Sequence, residues 1–185
     1  MAEEPRIPLV VRDRATDEQR CVGDFIYGKR NEPYGGPSAI MLHAPELANR
    51  FEAIREHILA AGLPEDLLHL ATLVLARHWS VDYVWNVRVG LALKAGIDPT
   101  VIEAIRTHQR PQRLSEAQAA IYDYVSELLG PVGVSDSTFQ RAREVLHDDK
   151  AIVELTAVVG VYTMLALQCR AADLPAQPGT STLPR

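Results

Sequence analysis

The run HLATLVLARHWSVDYVWNVRVGLALKAG, residues 69–96, limits the fold more than any other stretch, because two helical patterns meet in it head to tail. After Ser80 the apolar residues Val81, Val84, Trp85, Leu91, Ala92 and Ala95 recur on one helical face. Asp82, Asn86, Gly90 and Lys94 form the opposite, polar or small stripe. Arg88 falls in the middle of the apolar face, so its guanidinium is directed inward. An inward guanidinium needs a carboxylate, a ligand anion or a cluster of carbonyls, since an unpaired buried charge costs several kcal/mol. Two readings follow: a structural pair with Glu154, the charge inside AIVELTAVVGVYTMLALQC, or an anchor for an anionic ligand.

No segment alternates with period two for long enough to propose a strand, and helix signals follow one another along the whole chain. The expectation is all-α: a single-domain helical bundle of about eight helices. Thr16 with Gln19 and Ser115 with Gln118 are capping boxes, the first opening a helix to about Lys29. Pro45 opens a helix that Gly62 closes, and Pro64 opens the next, through Trp79. Ser80 is placed to cap a helix running to Ala95, and Asp98-Pro99 to start a short one. Ser135 or Asp136, then Asp148 or Asp149, start the last two. Residues 1–15 read as an extended arm, 16–174 as the helical domain, and the Pro-rich tail 175–185 as disordered unless a neighbouring subunit covers it. RNEPYGGPS, residues 30–38, reads as a loop able to wall a pocket, with Tyr34 as its aromatic.

At 185 residues the chain is long enough to bury about 70% of its unfolded surface without staples. Its net charge of −5 and the lack of a basic cluster argue against nucleic acid or an anionic membrane as partner. Residues 151–169 could reach roughly 28 Å, the span of a bilayer core. Glu154, Thr156, Thr163 and Gln168 within them favour a buried central helix instead. Cys21 and Cys169 lie far apart in no redox or metal spacing, and no apolar signal segment opens the chain, so a reducing cytoplasm is expected.

No phosphate loop, nucleophile elbow or metalloprotease motif is present. Of the six histidines, His69 and His78 lie in the central run, too far apart on one helix to share a metal, so no metal site is expected. His69 shares a stripe with Glu65 and Thr72, which reads as a solvated face. His78, Trp79, Tyr83 and Trp85 crowd the joint between the helices as core, interface or pocket wall. His69, His78 or Tyr83 could serve as acid or base.

Three stretches, GPSAIMLHAPELANRF, LARHWSVDYVWNVRVGLALKAG and VELTAVVGVYTMLAL, together resemble the carboxymuconolactone decarboxylase family, which includes the alkyl hydroperoxidase D-like proteins. The likeness runs from about Gly36 to Leu174. It implies an all-α bundle, a pocket lined by the central helix pair at or near a subunit interface, and a homo-oligomer. By spacing, the family's Glu falls on His69, the two cysteines of its peroxidase branch on Val81 and Val84, and its His on Arg88; none of the four matches. The signature Tyr-Glu-Trp-x-x-His becomes Tyr83-Val84-Trp85-Asn86-Val87-Arg88, keeping the aromatics and losing Glu and His. A dithiol peroxide relay needs a thiolate and a resolving partner, which valines do not supply.

The family's other chemistry, proton transfer at carbon, needs no metal or organic cofactor. On this resemblance the chain is expected to be a cofactor-independent lyase or isomerase acting on a small carboxylic acid or lactone. Arg88 would hold the carboxylate and His69 would shuttle the proton. His78, Trp79, Tyr83, Val84, Trp85 and Tyr34 would line the substrate site. The rivals are a non-catalytic ligand-binding or structural oligomer, with Arg88 closed off by Glu154, and a thiol peroxidase.

Overall fold

The computed structural model describes residues 4–28, 34–177 and 179–184. Nine α-helices and no strand occur among them, which is the all-α architecture expected, with one helix more. In chain order they are α1 (Asp17–Tyr27), α2 (Gly36–Met41), α3 (Pro45–Ala60), α4 (Glu65–His78), α5 (Asp82–Lys94), α6 (Pro99–Arg106), α7 (Glu116–Leu128), α8 (Asp136–Leu146) and α9 (Asp149–Ala172). The starts are chemical. Thr16 and Ser115 accept from Gln19 and Gln118 while those side chains return to the cap N–H, and Ser135, Asp98 and Asp148 cap α8, α6 and α9.

The helix at the centre is α4, which touches α5, α6, α7 and α9. Its residues from Leu67 to Arg77 are buried without interruption, as a helix enclosed on every side requires. The long apolar α9, expected at the centre, instead buries one stripe: Ile152, Leu155, Val158, Val159, Tyr162, Ala166 and Cys169. Val153 and Leu167 face outward, and only half of the most apolar window of α9 is covered. It lies against α2, α3, α4 and α8 and is, among the described residues, the one helix long and apolar enough to cross a membrane.

Three expectations change. The turn between α4 and α5 is closed by Ser80 as the left-handed residue ending α4 (φ 51°), with Ser80 and Val81 N–H bonded back to the carbonyls of Arg77 and Ala76. The residue that caps α5 is therefore Val81, with no side-chain cap, not Ser80. The last three residues of the span read as a loop, 36–38, begin α2, which runs on to Met41 with five of its six residues buried; 29–33, including the expected end of α1 at Lys29, lie outside the described residues.

The tail is docked rather than loose. Asp82 accepts from Leu183 N–H (2.6 Å), Arg77 donates to the Pro184 carbonyl (2.9 Å), and Asn86 donates to Thr180 and Ser181. Leu183 itself is buried in the main core. The N-terminal arm is pinned too: Arg6 N–H reaches the Ala172 carbonyl (2.6 Å), and Arg12 makes a bidentate pair with Asp24 on α1.

Candidate functional site

Four helices, α3, α4, α5 and α9, bring polar side chains into the interior. From α5 comes Arg88, 8% exposed, as its place on the apolar face requires. Its guanidinium donates to the Tyr162 hydroxyl on α9 and lies 4.3 Å from the centre of that ring. Glu154 is not its partner: that carboxylate lies two turns earlier on α9 and pairs with Lys150 at 3.3 Å. Among the described residues no carboxylate pairs with Arg88, and burial pushes its guanidinium below the usual arginine range while Tyr162 opposes the fall.

From α3 come Glu52 and Arg55, one turn apart. Glu52 is 3% exposed and binds Arg55 through both oxygens, Nε to Oε2 at 2.8 Å and Nη2 to Oε1. Tyr162 acts on the charge of Arg55 as well, after the larger effect of Glu52, so the α3 pair lies in the neighbourhood of the same phenol. The sequence reading passed over Glu52, Arg55 and Tyr162. A signal exists: Ala48, Phe51, Glu52, Arg55 and Ile58 follow i, i+3, i+4, i+7 and i+10 on one face, so Glu52 interrupts an apolar stripe as Arg88 does.

From α4 comes His69, 8% exposed with Thr72 at 1%, which overturns the solvated-face reading. Its Nδ1 is buried without a hydrogen-bond partner among the described residues. Burial, and secondarily Arg88, hold the imidazole below its ordinary pKa, with Glu65 opposing. His69 is therefore neutral at neutral pH, next to a guanidinium. The folded state disfavours its charged form, so its share of stability is complete above about pH 6.5 and is lost as pH falls from there through the folded value. His78 and His108 are lowered in the same direction. Unfolding measured from pH 8 to 5 should accordingly show stability falling with acid, and His69→Gln should flatten part of that slope; an unchanged slope would place His69 in a solvated setting.

Tyr27 and Tyr83 stand beside this cluster. Tyr27 donates to the Gly35 carbonyl at 2.6 Å, and burial pushes its phenol up to about 12, with Glu52 and Tyr83 adding to the rise. The Tyr83 hydroxyl accepts from Gln177 of the tail at 3.2 Å and backs onto Gly36, where an added Cβ would lie 2.5 Å from it.

The other residues singled out lie elsewhere. Val84 and Trp85 are core, 3% and 2% exposed. His78 and Trp79 sit nine and ten residues beyond His69, roughly 13–15 Å along the axis; His78 is exposed, and Trp79 lies under Arg170, which donates to its carbonyl at 2.7 Å. Tyr34 is 1% exposed in a smaller second core, packed on Gly23, stacked on Tyr27 at 5.5 Å and donating to Asp24 at 2.7 Å. It supports Tyr27 from behind. The structure thus gathers His69 and Arg88, with Tyr83 near; Val84 and Trp85 lie one turn before Arg88 on the buried face of α5, His78 and Trp79 lie further along α4, and Tyr34 stands behind Tyr27.

No family model and no curated protein sequence matches this chain. Solved structures do. The chain is similar to the alkylhydroperoxidase AhpD core of an uncharacterized peroxidase-related protein from Ralstonia eutropha (TM-score 0.77, 13% identity, 96% of this chain and 95% of that one). It is similar also to the debrominase Bmp8 in complex with 2,3,4-tribromopyrrole (TM-score 0.70, 16% identity, 93% and 91%). A third is a protein of unknown function from Agrobacterium tumefaciens, named for AhpD-type antioxidant defence (TM-score 0.67, 16% identity, 74% and 94%). The chain therefore has the AhpD-like fold that the sequence resemblance implied; at these identities the likeness speaks for the fold alone.

Proposed function

We propose that this chain is a cofactor-independent enzyme of the isomerase or lyase type, moving a proton at a carbon of a small organic acid or lactone held by Arg88. The observation that carries the reading is a buried guanidinium whose side-chain partner is a neutral phenol, set beside a neutral histidine with a bare Nδ1. Arg77, the other buried arginine among the described residues, is satisfied by the carbonyls of Arg106 and Pro184 and by Ser80, whereas Arg88 donates to the Tyr162 hydroxyl. Arg88 has the capacity to take a carboxylate from a ligand through charge-assisted hydrogen bonds.

The arrangement couples binding to base strength. An imidazolium beside Arg88 is disfavoured while the guanidinium is uncompensated. A bound carboxylate screens that charge, raises the basicity of His69 and lets it accept a proton from a carbon next to the acid or carbonyl. Returning the proton to another carbon completes an isomerisation. In a decarboxylation carbon dioxide leaves with no prior abstraction, and the carbon that keeps the electron pair takes a proton from an acid that must have been protonated from solvent beforehand. A histidine that starts neutral favours the first course.

A thiol relay finds no support in the cysteines. Burial pushes Cys169 up to about 12, leaving no thiolate, and Cys21 is an exposed residue of α1. That Bmp8 is a debrominase seen with a tribromopyrrole is consistent with this fold serving small-molecule chemistry beyond peroxides. The reading includes a cytoplasmic homo-oligomer, for which the exposed Leu47 and Ile54 of α3, Val87 and Leu93 of α5, and Val153 and Leu167 of α9 offer apolar surface.

The test is a thermal-shift screen of small carboxylic acids and lactones on the wild type and Arg88→Met. A ligand at a hundred times its Kd adds about 2.7 kcal/mol. Some acids should raise the midpoint of the wild type and leave Arg88→Met unmoved. If none moves the wild type, and Arg88→Met is strongly destabilised, Arg88 is a structural residue and the enzyme reading fails.

A further inference from the structure

We infer that Glu52 sets the charge of the ligand: by neutralising Arg55 it leaves Arg88 as the one uncompensated guanidinium, so the site selects monocarboxylates over dicarboxylates. The inference rests on the proposal that Arg88 binds an organic anion, and narrows it.

Glu52 and Arg55 look at first like any ion pair one turn apart on a helix. Glu103 and Arg106 on α6 are such a pair, with the same two contacts at 2.7 Å, but there the carboxylate is 58% exposed and the arginine 33%. In α3 the exposures are inverted: the Glu52 side chain is 3% exposed and Arg55 32%. The carboxylate lies on the inner side of its pair, where it also acts on Tyr27, and a buried carboxylate is costly unless its charge is compensated.

The charges around it set the balance. Arg88 donates to the Tyr162 hydroxyl, Arg55 lies near enough to repel Arg88, and without Glu52 the cluster would carry two uncompensated positive charges. Among the described residues, His69 is held neutral and Tyr27, which feels both Glu52 and Arg55, is held as the phenol, so neither adds charge at neutral pH. Glu65, at the start of α4, acts on His69. Arg88 can therefore be matched by one ligand carboxylate, and a second would meet the buried Glu52 as a like charge in a medium that screens poorly. The ligand beyond its carboxylate is accordingly uncharged, in keeping with the apolar and phenolic groups beside Arg88.

The experiment measures dissociation constants by calorimetry at pH 7.5 and constant ionic strength for three matched pairs of acids: butyrate and succinate, crotonate and fumarate, benzoate and phthalate. In the wild type the monoanion of a pair that binds should be favoured at least tenfold. Glu52→Gln, which keeps the shape and removes the charge, should reverse the ranking. Glu52→Gln/Arg55→Gln, which restores a single uncompensated guanidinium, should return it. Wild-type binding of dicarboxylates as tight as that of their monoanions overturns the inference and leaves the anion site standing, and needs no variant to fold. A double variant that keeps the preference of Glu52→Gln overturns it as well, because shape rather than charge would then decide. If none of the six acids binds the wild type, the anion site itself falls and the inference with it.

Discussion

Trp85→Ala is expected to destabilise the fold by about 3–5 kcal/mol, the range for deleting a buried aromatic side chain. In a chain of this length that lowers the thermal midpoint by about 6–20 °C. Trp85 is 2% exposed and lies in the main core with Leu70, Leu73, Leu75 and Val101. It is among the largest fully enclosed side chains of the molecule. Removing the indole leaves a void between α5 and its neighbours that the surrounding side chains, already close-packed, fill only in part. Trp85→Phe should lose much less, since the phenyl ring refills most of the space the indole leaves. A loss below about 1 kcal/mol for the alanine variant would mean that Trp85 is a surface or pocket aromatic, the role suggested by its place in the Tyr83-Val84-Trp85 signature.

The starts of helices were legible because capping is local. Thr16 reaches Gln19, Ser115 reaches Gln118 and Asp98 reaches Thr100, so a few adjacent letters contain the whole interaction. What depends on distant partners was not. GPS, residues 36–38, reads as the end of a loop, and the helix α2 that it begins exists because α3 and α9 cover it. The tail looks disordered by composition, yet Asp82, Asn86 and Arg77 bind its backbone, and one apolar side chain, Leu183, enters the core. Those acceptors and donors lie about a hundred residues upstream, where no window of sequence can join them to the tail.

The site shows the same division. The inward face of α5 identified Arg88, because helical periodicity fixes direction around an axis. It does not fix height along a neighbouring axis. Glu154 and Tyr162 lie on the same buried stripe of α9, eight residues apart, about 12 Å in an α-helix. Choosing between them requires the stagger of α5 against α9, which tertiary packing decides. The same limit hid Glu52 and Arg55: their positions on the α3 face were readable, and their approach to Tyr162 was not.

Gly23→Ala should behave opposite to helix propensity. In the interior of α1 alanine is ordinarily better than glycine by about 1 kcal/mol. Here an added Cβ would lie 2.4–2.8 Å from three ring atoms of Tyr34, closer than such atoms approach. The ring is 1% exposed and tethered through its hydroxyl to Asp24, itself paired with Arg12, so it has no free direction in which to swing. Overpacking of this kind costs about 1–3 kcal/mol, and partial expulsion of the phenol adds a share of its burial, giving a net loss of about 2–4 kcal/mol. Thermal denaturation of the single variant measures it. The cause is separated by repeating the change in a Tyr34→Ala background, where the obstacle is gone and Gly23→Ala should become stabilising, up to the helix-propensity gain. A loss that persists there would place the strain elsewhere in α1. The consequence for the site follows from the stacking of Tyr34 on Tyr27: with its support displaced, Tyr27 loses its fixed position beside Glu52 and Arg55. Acids that stabilise the wild type should therefore stabilise Gly23→Ala less, although neither Gly23 nor Tyr34 belongs to the Arg88 cluster.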